Sequence, residues 1–565
     1  MKALTTFILF ILISSISNTY ACTNLLVTKG ASTDGSTFVS YTADSHTLYG
    51  ELYFWAAAKH NAGAMRAVKE WDTGKPLGYI KEVAETYRVV GNMNEHSLAI
   101  GESTFGGRTD LVDTNGIMDY GSLIYVTLSR AKNAREAIKT MAELVAEYGY
   151  YSSGESFSIV DPHEVWILEM TGKGAGNKGA VWVAVRIPDG YISAHANQAR
   201  IRTFTQENGT TSVSSQHLDK IFNPEVETVY AHDVVRVARD RGYFSGKDAD
   251  FSFSDTYNPV DFGGARFCDA RVWSFFREYD KSMDDYLDYA MGKNLAHRLP
   301  LYIKPDRKLD VHDVANAMRN HFEGTPLDMT AGVGAGPFKL PYRWRPMTWK
   351  YNGVDFIHER AVATQQTGWW FVAQCRSWLP NAVGGIFWFS VDDPATSCLS
   401  PVYCSITGVP QPYAVGNGDL LTYSETAAFW IFTRTTHFAY LRYDAVSADI
   451  RKVQQEWERA QAEKVKEIDQ KALALYNKNK PKDAVKTLTD YSVKTAQDLM
   501  ARWRQLDAYL LVKYADGNIK KETPDGQFKR DEYGTPVSPS QPPYPESWYK
   551  AIVYDAGTTL QAEKE

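Results

Sequence analysis

Cysteine is scarce in this chain, with five in 565 residues, and five is odd. At least one thiol must therefore stay unpaired. Cys398 and Cys404 flank a Ser400-Pro401 turn and can pair; the remaining cysteines read as buried thiols or as something more specific. Charge of one sign is also missing. The 61 basic side chains face 67 acidic ones, for a net charge of −6, so no basic footprint points to nucleic acid. Beyond the first residues no run approaches the roughly eighteen apolar positions that a membrane span requires. Histidines are few, and His46, His195 and His321 fit no zinc spacing, so neither a metal nor another cofactor is expected. No internal repeat is visible.

What is there begins at the N-terminus. Lys2, the apolar run from Leu9 to Ile13, the polar Ser14, Ser15, Ser17 and Asn18, and the sequence Thr19-Tyr20-Ala21 have the order of a cleavable export signal. Residues 1–21 are read as that signal, and the protein is expected to be exported, to the periplasm or beyond. Cleavage after Ala21 exposes Cys22, placing a thiol and a free α-amine on one Cα. The amine titrates at about 7.7–8.0 and the thiol at about 8.5 when unperturbed, so a nucleophile and a general base are tethered together. Two rival readings of Cys22 are a lipid anchor and an inert thiol. A lipoprotein signal normally has Leu where Thr19 stands and a flexible tether after the cysteine, whereas here an apolar strand follows at once.

Strand signals come in runs. Cys22 to Val27 and Thr37 to Thr42 flank the Thr33-Asp34-Gly35-Ser36 turn, and Asp44-Ser45-His46 follows. Leu52–Ala57, Tyr87–Val90 and Ser97–Glu102 are further strands. Leu123–Leu128 and Ala134–Tyr148 read as helices, the second with apolar residues at i, i+3, i+4, i+7. Phe157–Val160, Glu164–Met170, Val181–Val185 and Tyr191–Ala196 return to strands, with Gly172 to Gly179 as a hairpin turn rather than a dinucleotide loop. A helix from Val311 to Phe322 capped by Asp310, strands at Val362–Val372 and Ala382–Val391, and a helix from Ala427 to Tyr443 complete the body. Runs of strands followed by runs of helices predict an α+β fold. Pro481 splits the charged 445–515 region into an antiparallel helical pair, and 516–565 reads as a Pro-rich tail. The Trp-rich stretches at Trp344-Arg345-Pro346, Trp369-Trp370 and Trp388 are core or pocket wall.

Taken in order, several stretches resemble the dipeptidase A family of cysteine N-terminal-nucleophile (Ntn) hydrolases, and more distantly bile-salt hydrolases and penicillin V acylases. They are Cys22 to Val27, Ala31 to Ser36, Asp44-Ser45, Met93-Asn94-Glu95 through Glu102, Trp166 to Glu169, the strand ending at Asn197, Asp269 to Trp273, and His321 to Pro326. The resemblance covers residues 22 to about 440. It implies a four-layer αββα sandwich, here with a C-terminal helical extension, and hydrolysis of dipeptides through a thioester on Cys22. By position it assigns Asp44 to the nucleophile's surroundings, Asn197 to the oxyanion hole, and Arg271 or Arg266 to the arginine near the nucleophile. Two positions depart from the family. Tyr41 stands where relatives carry an arginine that would lower the thiol pKa. Thr104 stands where bile-salt hydrolases place a second asparagine, so its hydroxyl or a backbone N–H must serve instead.

A dipeptide's free amine calls for a carboxylate, for which Glu102, Glu155 and Asp161 are candidates. A Ser45 triad is disfavoured, because triad partners meet in space rather than in sequence. The alternatives are another amide hydrolase of the same fold, of bile-salt or penicillin acylase type, and a non-enzymatic surface lipoprotein anchored at Cys22. No nucleic-acid partner and no integral membrane span are expected, and the oligomeric state is open.

Overall fold

Residues 23 to 44 set the frame for everything that follows. Asn24–Val27 is buried throughout and pairs antiparallel with Thr37–Asp44, Leu26 opposite Val39 and Val27 opposite Phe38. Between them the chain reverses at Asp34, whose carboxylate accepts the Ser36 N–H at 2.9 Å, and at Gly35, whose φ of +81° only glycine adopts without strain. This computed structural model describes residues 22–343 and 347–562. The expected signal (1–21) and Trp344-Arg345-Pro346 lie outside the described residues.

The fold is α+β, built on two large mixed-length sheets. The first has seven strands in the order Tyr302–Ile303, Ile192–His195, Asn24–Val27, Thr37–Asp44, Thr367–Cys375, Gly385–Val391, Ser400–Tyr403. The second has nine, with Ala99–Gly106, Gly154–Val160, Val165–Gly172 and Ala180–Arg186 at its centre. Hydrogen bonds cross between the sheets. Thr37 Oγ1 donates to Asp161 O at 2.6 Å, and His195 sits between the hydroxyls of Ser103 and Ser158. Strands buried along both faces account for the continuous apolar runs in place of clean alternation.

The Ala134–Tyr148 helix packs on the central strands of the nine-stranded sheet. Its first turn is held by Asn133, whose side chain accepts the Glu136 N–H, and by Asp161, which accepts the Ala134 N–H at 2.8 Å. Ala270–Tyr279 and Val311–Ala317 pack on the other sheet. The Asp310 cap is present as a reciprocal capping box with Asp313. That helix stops at Ala317 instead of reaching Phe322, whose φ of +65° is incompatible with a continuing helix.

Other boundaries also shift. The strand expected at Val362–Val372 runs from Thr367 to Cys375, because the chain first turns at Thr364, whose carbonyl accepts the Thr367 N–H. Asn381–Gly384 is a helical turn leading into the Gly385–Val391 strand. Two long helices, Tyr443–Asn477 and Pro481–Lys513, pack against each other and against the Ser400–Tyr403 strand. The tail is extended over much of its length, held by isolated bridges such as Ile519 to Ser540, but Glu546–Ala556 is a helix that the Pro-rich composition concealed. Cys398 and Cys404 do not pair. The Ser400–Tyr403 strand runs between them, and their sulfurs turn to Glu458 and to Asn381 O respectively.

Candidate active site

Cys22 lies just before the Asn24–Val27 strand, buried, with Thr23 bridged to Thr42. Its Sγ donates to Glu102 Oε1 at 3.3 Å and lies 3.5 Å from the Tyr41 hydroxyl, which itself donates to the same Glu102 oxygen. Burial pushes the thiol pKa well up, and the charges of Glu102 and Asp44 push it further. The Asp44 backbone and the Tyr41 hydroxyl oppose this only in part. At neutral pH the sulfur is therefore a thiol that needs a base to react.

Glu102 reaches the thiol by strand register. It lies on Ala99–Gly106 two residues before Thr104, and Thr104 is paired with Glu155 on the neighbouring strand, so all three side chains share one face. The Thr104 hydroxyl donates to Glu155 Oε2 at 2.9 Å and is thus committed to that carboxyl. Both glutamates are buried, and Glu102 Oε2 and Glu155 Oε1 find no other partner among the described residues. Burial raises both carboxyls, Glu155 the more because Glu102 is its neighbour. Two like charges so placed disfavour each other's ionisation.

Of the two candidate arginines, Arg271 is the one beside Cys22. It is 1% exposed, and its guanidinium donates to Cys22 O at 2.9 Å, Thr23 Oγ1 at 2.7 Å, Asn197 Oδ1 at 2.9 Å and Ala196 O at 3.2 Å. A π-helical turn, Gly264–Asp269, leads into its helix. Burial and then Arg360 lower its pKa to about 10, so it stays charged. Arg266, the other candidate, pairs instead with Glu359 at 2.8 Å.

Asn197 follows the Ile192–His195 strand in a left-handed conformation, φ +60°. With its oxygen held by Arg271, its Nδ2 donates to Thr104 O at 2.6 Å, which joins the ends of two strands from different sheets beside Cys22. Asp44 closes the group. Its carboxylate accepts from Thr367 Oγ1 at 2.6 Å, Thr42 Oγ1 at 3.0 Å and Arg360 at 2.8 Å. Arg360 belongs to no motif visible in the sequence; its ion pair with Asp44 in the folded chain reveals it.

Asp161 does not join the site. Its carboxylate is filled by the N–H groups of Ala134, His163 and Glu164 and starts a helix. His195 is buried and pushed down to about 3 by burial and Arg200, so it is a neutral bridge between strands. His321 contacts Glu323 at 3.2 Å, and Ser45 bonds Thr47. Among the described residues no group of three or more His, Cys, Asp and Glu is placed to hold a metal ion, and no helix is long and apolar enough to cross a membrane.

The sequence profile of peptidase family C69 matches residues 21–69 and 60–456. A probable dipeptidase of Salmonella dublin is 24% identical over 401 residues, covering 68% of this chain and 81% of that protein. A probable dipeptidase B of Lactococcus lactis subsp. lactis (strain IL1403) is 25% identical over 443 residues, 75% of this chain and 82% of the relative. A dipeptidase of Bifidobacterium longum (strain NCC 2705) is 24% identical over 426 residues, 69% and 72% of the two chains.

Proposed function

The chain belongs to peptidase family C69 and is a peptidase acting on dipeptides, and from this premise we propose that it is an exported Ntn hydrolase whose nucleophile is the Cys22 thiol. The observation that carries the reading is the convergence on Cys22 of Arg271, Asn197, Asp44 and Glu102 from four distant parts of the chain. Two sheets that meet face to face, with helices packed on each, fit the four-layer αββα sandwich of that class.

Removal of residues 1–21 frees the α-amine of Cys22. In the reaction this amine takes the thiol proton as Sγ attacks the scissile carbonyl. Asn197 donates to the oxyanion, and Arg271 fixes Asn197 and the Cys22 backbone. The amine then hands its proton to the departing nitrogen, leaving a thioester. Water attacks the thioester, gives its proton to the amine, and the thiol is restored. Burial keeps the thiol protonated at rest, so a base on the same residue meets a real need.

Covalent geometry points to Glu102 as the acceptor of the substrate's ammonium. In any dipeptide the α-nitrogen lies about 2.5 Å from the scissile carbonyl carbon. A carboxylate that pairs with it must therefore adjoin the nucleophile, and Glu102 touches Sγ while the Asp44 carboxylate is already engaged. Thr104 orients Glu155, and the pair presents one negative charge to one ammonium.

The first test is the intact N-terminal mass of protein from its own envelope fraction, with and without iodoacetamide. A chain starting at unmodified Cys22 and alkylated there supports the reading. Lipid on Cys22, or another start, removes the amine–thiol pair and with it the mechanism. Cys22→Ala is expected to abolish dipeptide hydrolysis with the fold intact, and Cys22→Ser to reduce it severely.

A further inference from the structure

A hairpin seated on the start of the Tyr120–Leu128 helix carries groups that the bond-breaking step does not use. Its strands are Met65–Lys69 and Pro76–Lys81, and its loop holds Trp71 and Asp72. The loop rests on the start of the Tyr120–Leu128 helix: Trp71 N–H donates to Asp119 at 2.8 Å, and the Tyr120 hydroxyl donates to Asp72 Oδ1 at 2.9 Å. A substituent on Gly121 would collide with the Trp71 ring at 2.4 Å, so the close seat depends on that glycine. Around the loop, the rings of Tyr53, Trp55, Trp71 and Tyr125 cluster with centroids 4.4 to 6.1 Å apart, and Trp369 backs Tyr53 at 5.6 Å. Tyr125 is buried, whereas Tyr53, Trp55 and Trp71 are only half-buried and keep ring surface uncovered.

The wall is electrically one-sided. Asp72 makes no ion pair among the described residues, and its second oxygen accepts no hydrogen bond from them. Burial raises its carboxyl to about 6, the Tyr120 bond opposes this, and the neighbouring charges that add to it are Glu102, Asp119 and Glu70, all negative. The Tyr120–Leu128 helix packs on the Ala99–Gly106 strand that carries Glu102, and Trp369 pairs with Ala43 beside Asp44, which sets this wall next to the candidate site; the Tyr120 phenol is raised by burial and then by Asp72, Glu102 and Cys22. A carboxylate without a counter-ion, edged by aromatic faces, is the chemistry that takes up an ammonium or guanidinium.

We propose that Asp72 and the ring surface around it form the pocket for the side chain of the substrate's N-terminal residue, and that this pocket selects a basic side chain, lysine or arginine. The inference rests on the reading of Cys22 as nucleophile and of Glu102 as the site of the α-ammonium. An extended lysine side chain carries its nitrogen about 6 Å from Cα, counted from its C–C bonds. With the α-ammonium on Glu102, such a side chain can pass Tyr120 toward Asp72. Apolar side chains meet the same rings without the charge partner.

The experiment compares kcat/KM for lysyl-alanine and leucyl-alanine, which share a leaving residue, in the wild type, Asp72→Asn and Asp72→Glu. The wild type should favour the lysyl substrate by about tenfold or more, the range of a charge-assisted contact. Asp72→Asn should erase most of that ratio through KM, and Asp72→Glu should restore part of it; thermal melting confirms that each variant is folded. A wild type that favours leucine or shows no preference overturns the proposal, as does a lysyl/leucyl ratio unchanged in Asp72→Asn. Failure of the underlying reading is seen separately, as dipeptide hydrolysis that survives Cys22→Ala.

Discussion

Tyr41 in place of an arginine changes what the nucleophile's surroundings must do. A guanidinium would draw the thiol pKa down; here burial, Glu102 and Asp44 all push it up. Glu102→Gln removes one of those charges. The substitution is expected to speed iodoacetamide alkylation of Cys22 at pH 7 while slowing dipeptide turnover about 10- to 100-fold, the worth of one charge-assisted hydrogen bond. Alkylation that slows together with turnover would assign Glu102 to the base instead of the substrate. Arg271 makes a different argument, because it fills five acceptors at once, Phe267 O included. Arg271→Gln should cost about 3 kcal/mol or more in chemical denaturation, since several buried acceptors lose their donor together. It should also lower kcat by about a hundredfold through the freed Asn197. Cys22 stands out in the sequence at the cleavage point, while Asn197 and the choice of Arg271 or Arg266 rest on the family resemblance; the fold brings Cys22, Asn197 and Arg271 together. Arg360 was not legible, because it reaches Asp44 through tertiary packing that no local pattern encodes.

Elements with a single strong period were read nearly to the residue. The helix expected over Ala134–Tyr148 is found there, and the break at Pro481 does separate two long helices. Elements set by tertiary contact leave little trace in the sequence. The Met65–Lys69 and Pro76–Lys81 hairpin is half-exposed and lacks clean alternation, and the Glu546–Ala556 helix hides in a Pro-rich stretch. The helical pair is not an appendage in its bonding. Glu458 on its first helix takes the two terminal Arg319 nitrogens, at 2.6 and 3.2 Å, and the Leu399 N–H at 3.1 Å; Asp469, about three turns further along, binds Arg376 and the Tyr403 hydroxyl. These acids tie the helix to the seven-stranded sheet. Glu458→Ala should destabilise the whole protein by about 3–5 kcal/mol, because it strands a buried guanidinium. The double variant Arg319→Met/Glu458→Leu should recover much of that loss. If Glu458→Ala instead melts only a separate minor transition, the pair folds independently of the sheets.

At the scale of the whole molecule, stability and catalysis draw the preferred pH in opposite directions. Several carboxyls are buried where they cannot easily ionise. Asp392 is pushed up to about 8 by burial and by adjacent Asp393, and it is fixed by the Thr436 hydroxyl at 2.7 Å in a left-handed turn, φ +66°. Glu169 is pushed up to about 7 by burial, against the N–H groups of Arg200 and Ile201. The folded chain keeps these protons where the unfolded chain has already lost them. Between roughly pH 4.5 and 7 both groups therefore make stability fall as pH rises, each by up to about 1.4 kcal/mol per unit, and Asp392 continues the fall to about 8. Glu323 acts in the reverse sense. Burial would raise it, but His321 bonds hold it down near 2, so its contribution is present above its ordinary range and lost only as pH falls toward 2. The melting temperature should thus be higher at pH 5.5 than at pH 8, and Asp392→Asn should flatten the slope between pH 7 and 8. On the proposed mechanism, in which the Cys22 amine must be unprotonated and its thiol is raised through burial, catalysis should climb over that same alkaline interval. Initial rates on a dipeptide should then still rise from pH 7 to 8 while the half-life at elevated temperature shortens. Asp392→Asn should lengthen the half-life at pH 8 without moving the pH profile of the initial rate. A profile that moved with this distant carboxyl would mean that the two pH dependences share one titrating group.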